Sequence, residues 1–200
     1  LIVFAFISGI RFNKSMLSRC NIELCMKPQT PALHNSNLRI ATVDLVLMAL
    51  FASLGLATKN LLHPLIGPII GAFYLPTGAV TGGLYMMWPV MAFGFVRKIG
   101  ASSMVSLTQA FISLILPYGN FGLLSFVIYL GPGIAIDAFF YLSRHKACCL
   151  GCCMIASAIA NVIGTILVGT MVLFLPVIVL AFLAVVAAIS GCVGGFIANM

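Results

Sequence analysis

The amino-acid sequence predicts an all-α, polytopic membrane protein: six transmembrane helices, with an apolar Pro- and Gly-rich outer loop between the first and the second. Three observations predict it. Of the 200 residues, 62% are hydrophobic and 6% charged, and the mean hydropathy is +1.22, which leaves too little polar surface to cover a water-soluble globule. From residue 40 onward the apolar runs approach the ~20 residues that a membrane crossing needs. The cations sit in short groups at the ends of those runs, as at Arg97-Lys98 and Arg144-His145-Lys146, which is the pattern of a positive-inside bias. The formal net charge of +7 therefore reports topology, and no nucleic-acid partner is expected.

Residues 1–39 read as a cytoplasmic leader. Five of the ten cations lie there (Arg11, Lys14, Arg19, Lys27 and Arg39), together with Pro28 and Pro31. The opening apolar stretch, Leu1 to Ile7, is too short to span and precedes the positive charge, the reverse of a secretory signal. Because the segment starts at Leu1, an upstream extension and a start at Met16 or Met26 are both left open.

Residues 40–200 form the membrane domain. Helix 1 is expected at 40–58, ending before Lys59-Asn60. The next stretch, Leu61 to Gly78, contains Pro64, Pro68 and Pro76 and reads as a broken apolar cap over the outer face. Charge parity supports this: with the leader and Arg97-Lys98 both inside, an even number of crossings must lie between them. Lys59, on the outer side, is the charge that counts against it. Helix 2 follows at 79–96 and helix 3 at 101–117, which stops at the turn signal Pro117-Tyr118-Gly119-Asn120. Helices 4, 5 and 6 are expected at 121–143, 147–173 and 176–198, with both termini cytoplasmic.

No phosphate-binding loop, metalloprotease motif or nucleophile elbow is present in the sequence, so an enzyme is not expected and ATP hydrolysis would require another subunit. Cys148, Cys149, Cys152 and Cys153 form the run CCLGCC. It has no histidine partners, and it reads as small apolar packing rather than as a metal site. The seven cysteines are odd in number and mostly intramembrane or cytoplasmic, so no disulfide framework is indicated.

Polar residues inside the spans carry two readings each. Gln109 and Asn161 suit interhelical hydrogen bonds or ligand contacts. Tyr74, Tyr85, Trp88, Tyr118 and Tyr129 suit interfacial anchors or ligand contacts. Asp137, within the apolar run that ends at Arg144-His145-Lys146, suits a structural pair or a ligand. Ala49, Ser53 and Ala57 on helix 1 make a small-xxx-small stripe, which serves helix packing within the bundle or docking of a partner subunit.

With six helices in some 160 residues, the Ala49-Ser53-Ala57 stripe, Gly67-Pro68, the Arg97-Lys98-Ile99-Gly100-Ala101 turn and the acid in the Gly133-to-Phe140 stretch, residues 40–200 resemble the substrate-binding S components of energy-coupling factor (ECF) vitamin transporters. Within that family they are most similar to the thiamine or hydroxymethylpyrimidine type. The resemblance implies a vitamin bound near the outer face and docking through helix 1 on a transmembrane coupling subunit driven by an ATPase pair. It places the protein in a prokaryotic plasma membrane and requires no cofactor. Tyr74, Tyr85, Trp88, Gln109, Tyr118, Asn120 and Asn161 are the expected ligand contacts, with Asp137 a further candidate. Two other readings stand beside this one: a self-sufficient homodimeric permease with Asp137 as its coupling site, and a ligand-free membrane assembly subunit.

Overall fold

The computed structural model describes residues 42–71, 76–115, 122–143 and 150–200. They form six helices: α1 (Thr42–Gly71), α2 (Thr77–Val96), α3 (Ala101–Ile115), α4 (Leu124–Ser143), α5 (Leu150–Met171) and α6 (Val177–Asn199). No strand occurs among the described residues. All except α3 are long and apolar enough to cross a membrane, and α3 covers 15 residues before the description stops. The protein is therefore a multi-pass membrane protein of the expected class. The leader, residues 1–39, lies outside the described residues.

The expected outer loop is corrected in its first half. Leu61 to Gly71 continues α1, which reaches 30 residues with Pro64 and Pro68 inside it. A proline removes the hydrogen bond to the carbonyl four residues back. Here the two prolines are four residues apart and both exposed, so both missing bonds fall on one face, away from the bundle. Leu61, Leu65 and Ile69 are also exposed, at 65–70%, so this segment is not folded over the bundle as a cap. At ~1.5 Å per residue α1 is about 45 Å long, longer than a hydrocarbon core of about 30 Å, so it tilts or projects at one end.

The most enclosed helix is α2, which packs on α1, α3, α5 and α6. It starts after Pro76, which serves as N-cap, and ends at Arg97, which takes the left-handed conformation at φ 53° while its N–H bonds the Phe93 carbonyl. Lys98, next in the chain, pairs with Asp44 of α1 at 2.6 Å, so the α2–α3 turn is tied to the start of α1.

Lipid tails are as apolar as leucine, so helices in a membrane associate by close packing and interhelical hydrogen bonds more than by hydrophobic burial. The α2–α6 contact is built that way. A methyl group on Gly194 would overlap the backbone of Gly83, and the Ser190 hydroxyl donates to the Val80 carbonyl and accepts the Gly83 N–H at 3.2 Å. On the other side of α2, Phe93 stacks on Phe140 of α4 with centroids 4.3 Å apart and planes 7° from parallel. Met86, Val90, Ile136, Cys153, Ala156 and Ala160 complete this core. The outward faces of α1 and α6 carry exposed Val, Leu, Ile and Phe, as a lipid-facing surface requires.

Candidate functional site

The half of the bundle remote from the Asp44–Lys98 pair gathers polar and aromatic side chains from four helices. Lys59 is the eighteenth residue of α1, well inside an apolar span. Its ammonium donates to the Tyr129 hydroxyl of α4, and its Nζ lies 4.7 Å from the Tyr129 ring centroid. Tyr85 of α2 is in electrostatic range of both. The Tyr85 hydroxyl points back toward the start of its helix, 3.9 Å from where a Gly78 methyl would stand.

Beside this group sit Trp88 of α2 and Gln109 of α3, both 4% exposed. Gly55 of α1 permits their approach: a methyl group there would overlap the Gln109 amide and stand 3.5 Å from Trp88 Cδ1. The Trp88 indole N–H is satisfied by Thr58 of α1 at 3.0 Å, and Thr58 in turn donates to the Leu54 carbonyl. Trp88 and Tyr129 are buried, while Lys59 and Tyr85 keep partial exposure. On the same face of α4 as Tyr129, one turn away, Ser125 is buried, and its hydroxyl has no hydrogen-bond partner among the described residues.

Of the residues expected from the sequence, Tyr85, Trp88 and Gln109 therefore come together, and Tyr74, Tyr118 and Asn120 lie outside the described residues. Asn161 of α5 does not join them. Its amide donates to the Ala187 carbonyl at 2.8 Å and the Ala79 carbonyl at 3.3 Å, while its oxygen sits where a Gly82 side chain would stand. That makes it a clamp between α5, α2 and α6. Asp137 is also apart, toward the Lys98 end. One carboxylate oxygen accepts the Ser102 N–H at 3.3 Å, and the other accepts the Ser103 N–H at 2.8 Å and the Ser103 hydroxyl. It thus caps the first turn of α3 from α4, where helix N–H groups lack intrahelical partners and favour an anion. Ala49, Ser53 and Ala57 all lie on the exposed side of α1, opposite buried Ala52, Gly55 and Leu56.

Lys59 is the member of this cluster that sequence reasoning missed, and Tyr129, weighed there as an anchor or a ligand contact, was not among the expected ligand contacts. An ionisable side chain within a span is a functional candidate by position alone. The signal was hidden because the first helix was expected to end before Lys59.

Among the described residues, no three His, Cys, Asp or Glu side chains are close enough to hold a metal ion. A family model described as the permease component of an ABC-type cobalt transport system matches residues 40–163, well over half of the chain. Every member of the four-helix cluster lies inside that match. No curated protein and no solved structure matches the chain.

Proposed function

Because the chain belongs to the family of permease components of ABC-type cobalt transport systems, and is thus a membrane transport component, we propose that it is the substrate-binding subunit of an ATP-driven importer of the energy-coupling factor type. Its ligand is a vitamin or vitamin precursor with an aromatic ring, of the thiamine or hydroxymethylpyrimidine kind. The observation that carries this reading is the convergence of Lys59, Tyr85, Trp88, Gln109 and Tyr129 from four helices within an otherwise apolar bundle. Aromatic faces with a few fixed polar groups suit a flat heterocycle bearing amino or hydroxyl substituents. The Ser125 hydroxyl, without a partner among the described residues, offers a further hydrogen bond on the same side.

The family description speaks of cobalt. The chemistry of the described cluster favours an organic ligand over a bare metal ion: its members are an ammonium, phenols, an indole and an amide, none a strong ligand for a divalent cation. With no phosphate-binding loop in its sequence, the chain relies on separate ATPase subunits for energy. The exposed Ala49-Ser53-Ala57 side of α1 is the docking face for the membrane subunit that couples to them. The alternative of a permease driven through Asp137 is less well supported, since both oxygens of that carboxylate are engaged by the first turn of α3.

Mass spectrometry of small molecules retained on the purified protein tests the reading. A co-purifying aromatic vitamin or precursor is expected. Retention of cobalt with no organic ligand would overturn it.

A further inference from the structure

From the reach and composition of the turn between α5 and α6 we infer that this turn does not stand in water but is sunk in the lipid leaflet at the end of the bundle remote from the Asp44–Lys98 pair. The hairpin extends past its neighbour α2. Asn161 of α5 binds the carbonyls of Ala79, the third residue of α2, and of Ala187 in α6. Beyond that contact α2 has two residues left, whereas α5 runs ten more to Met171 and α6 has ten before Ala187. At ~1.5 Å per residue the tip overshoots the start of α2 by roughly 12 Å.

From Met171 to Ile189 no side chain carries a nitrogen or an oxygen. Turns that meet water are ordinarily built from Gly, Asn, Asp, Ser and Pro, and between α5 and α6 only Pro176 is of that kind. Phe174 takes the left-handed conformation, φ 48°, at a helix end where glycine or asparagine is usual. Its side chain and those of Val177 and Ile178 are 80–86% exposed, a surface that water disfavours in proportion to its area. The backbone, by contrast, is closed as hydrocarbon requires. The N–H groups of Val172 and Leu173 bond the Val168 carbonyl at 3.0 and 3.1 Å, that of Leu175 bonds the Gly169 carbonyl at 3.0 Å, and Pro176 has none.

Lipid is the partner this surface fits. The exposed patch continues from Ile178 through Phe182, Val185 and Ile189 at three- and four-residue spacing, so it is one surface with the lipid-facing side of α6. Immersion of a tip that overshoots α2 also sets Lys59, Tyr85 and Tyr129 deeper in the membrane than the length of α2 alone indicates. This holds whatever the bundle binds.

The test uses the full-length chain in phosphatidylcholine vesicles, with Phe174→Trp in a Trp88→Phe background, so that the tip carries the sole tryptophan. The expected result is blue-shifted emission, strongly quenched by phosphatidylcholine brominated on its acyl chains and little affected by aqueous iodide. Stronger quenching by iodide, or none by the brominated lipid, overturns the inference. If the double variant does not fold, p-benzoylphenylalanine in place of Phe174 of the otherwise wild-type chain decides in the native membrane. Illumination is expected to give a lipid adduct, identified by mass spectrometry. An adduct with a second polypeptide or with another segment of this chain, or the absence of a lipid adduct, overturns it.

Discussion

The side-chain amide of Gln109 in α3 occupies the space that a methyl group on Gly55 of α1 would fill. The bare backbone of Gly55 thus lets a polar group from a neighbouring helix sit against α1 beside Trp88. Gly55→Ala is expected to displace the amide and weaken ligand binding, with a stability loss of about 1–3 kcal/mol from overpacking. Gln109→Ala removes the clash, so the double variant recovers most of the stability and none of the binding. Thermal melting in detergent together with ligand titration on all four proteins forms the cycle that checks this.

Asn161 illustrates how a polar residue inside a span serves the fold. Its two amide bonds close on the carbonyls of Ala79 and Ala187. Asn161→Ala is expected to cost about 1–3 kcal/mol of stability, by leaving buried acceptors without their donor. The affinity of the protein that remains folded should be within about twofold of wild type. Melting temperature and affinity measured on one preparation separate the two effects.

Asp137→Asn tests the capping role of the carboxylate. The amide group places a donor where one oxygen now accepts from α3, so the first turn of α3 loosens by about 1–2 kcal/mol. Ligand binding is retained, and so is uptake in vesicles that contain the ATPase partners. A proton-coupling role would instead abolish uptake while leaving stability unchanged.

Ser53 lies on the exposed side of α1, its hydroxyl bonded to the Leu50 carbonyl at 2.8 Å within its own helix. Ala49 and Ala57 on the same side are likewise exposed among the described residues. Ser53→Leu is therefore expected to leave melting temperature and ligand affinity unchanged while preventing co-purification with the membrane coupling subunit. Loss of folding would show instead that this face packs within the protein.

Much of this architecture is legible in the sequence, because hydropathy and the placement of Arg97-Lys98 set the number and order of spans. The extent of α1 was not. Pro64 and Pro68 read as breakers, since a sequence does not show that both fall on a lipid-facing side where a lost hydrogen bond disturbs no packed neighbour. That misplaced end also carried Lys59 out of the membrane and hid its meeting with Tyr129. Tyr85, Trp88 and Gln109 were visible as polar or aromatic residues in spans, but the same signal drew in Asn161 and Asp137. What separates them is partner geometry: backbone carbonyls for one and a helix terminus for the other.

Trp88 is the sole tryptophan of the chain and lies beside Gln109 and Gly55. Its fluorescence therefore reports on the four-helix cluster without a label. Titration of the purified protein with 4-amino-5-hydroxymethyl-2-methylpyrimidine is predicted to give a saturable change in that emission, lost in Gln109→Ala and weakened in Tyr85→Ala. A folded wild-type protein whose emission and heat of binding show no saturable response to this probe or to thiamine would contradict the account.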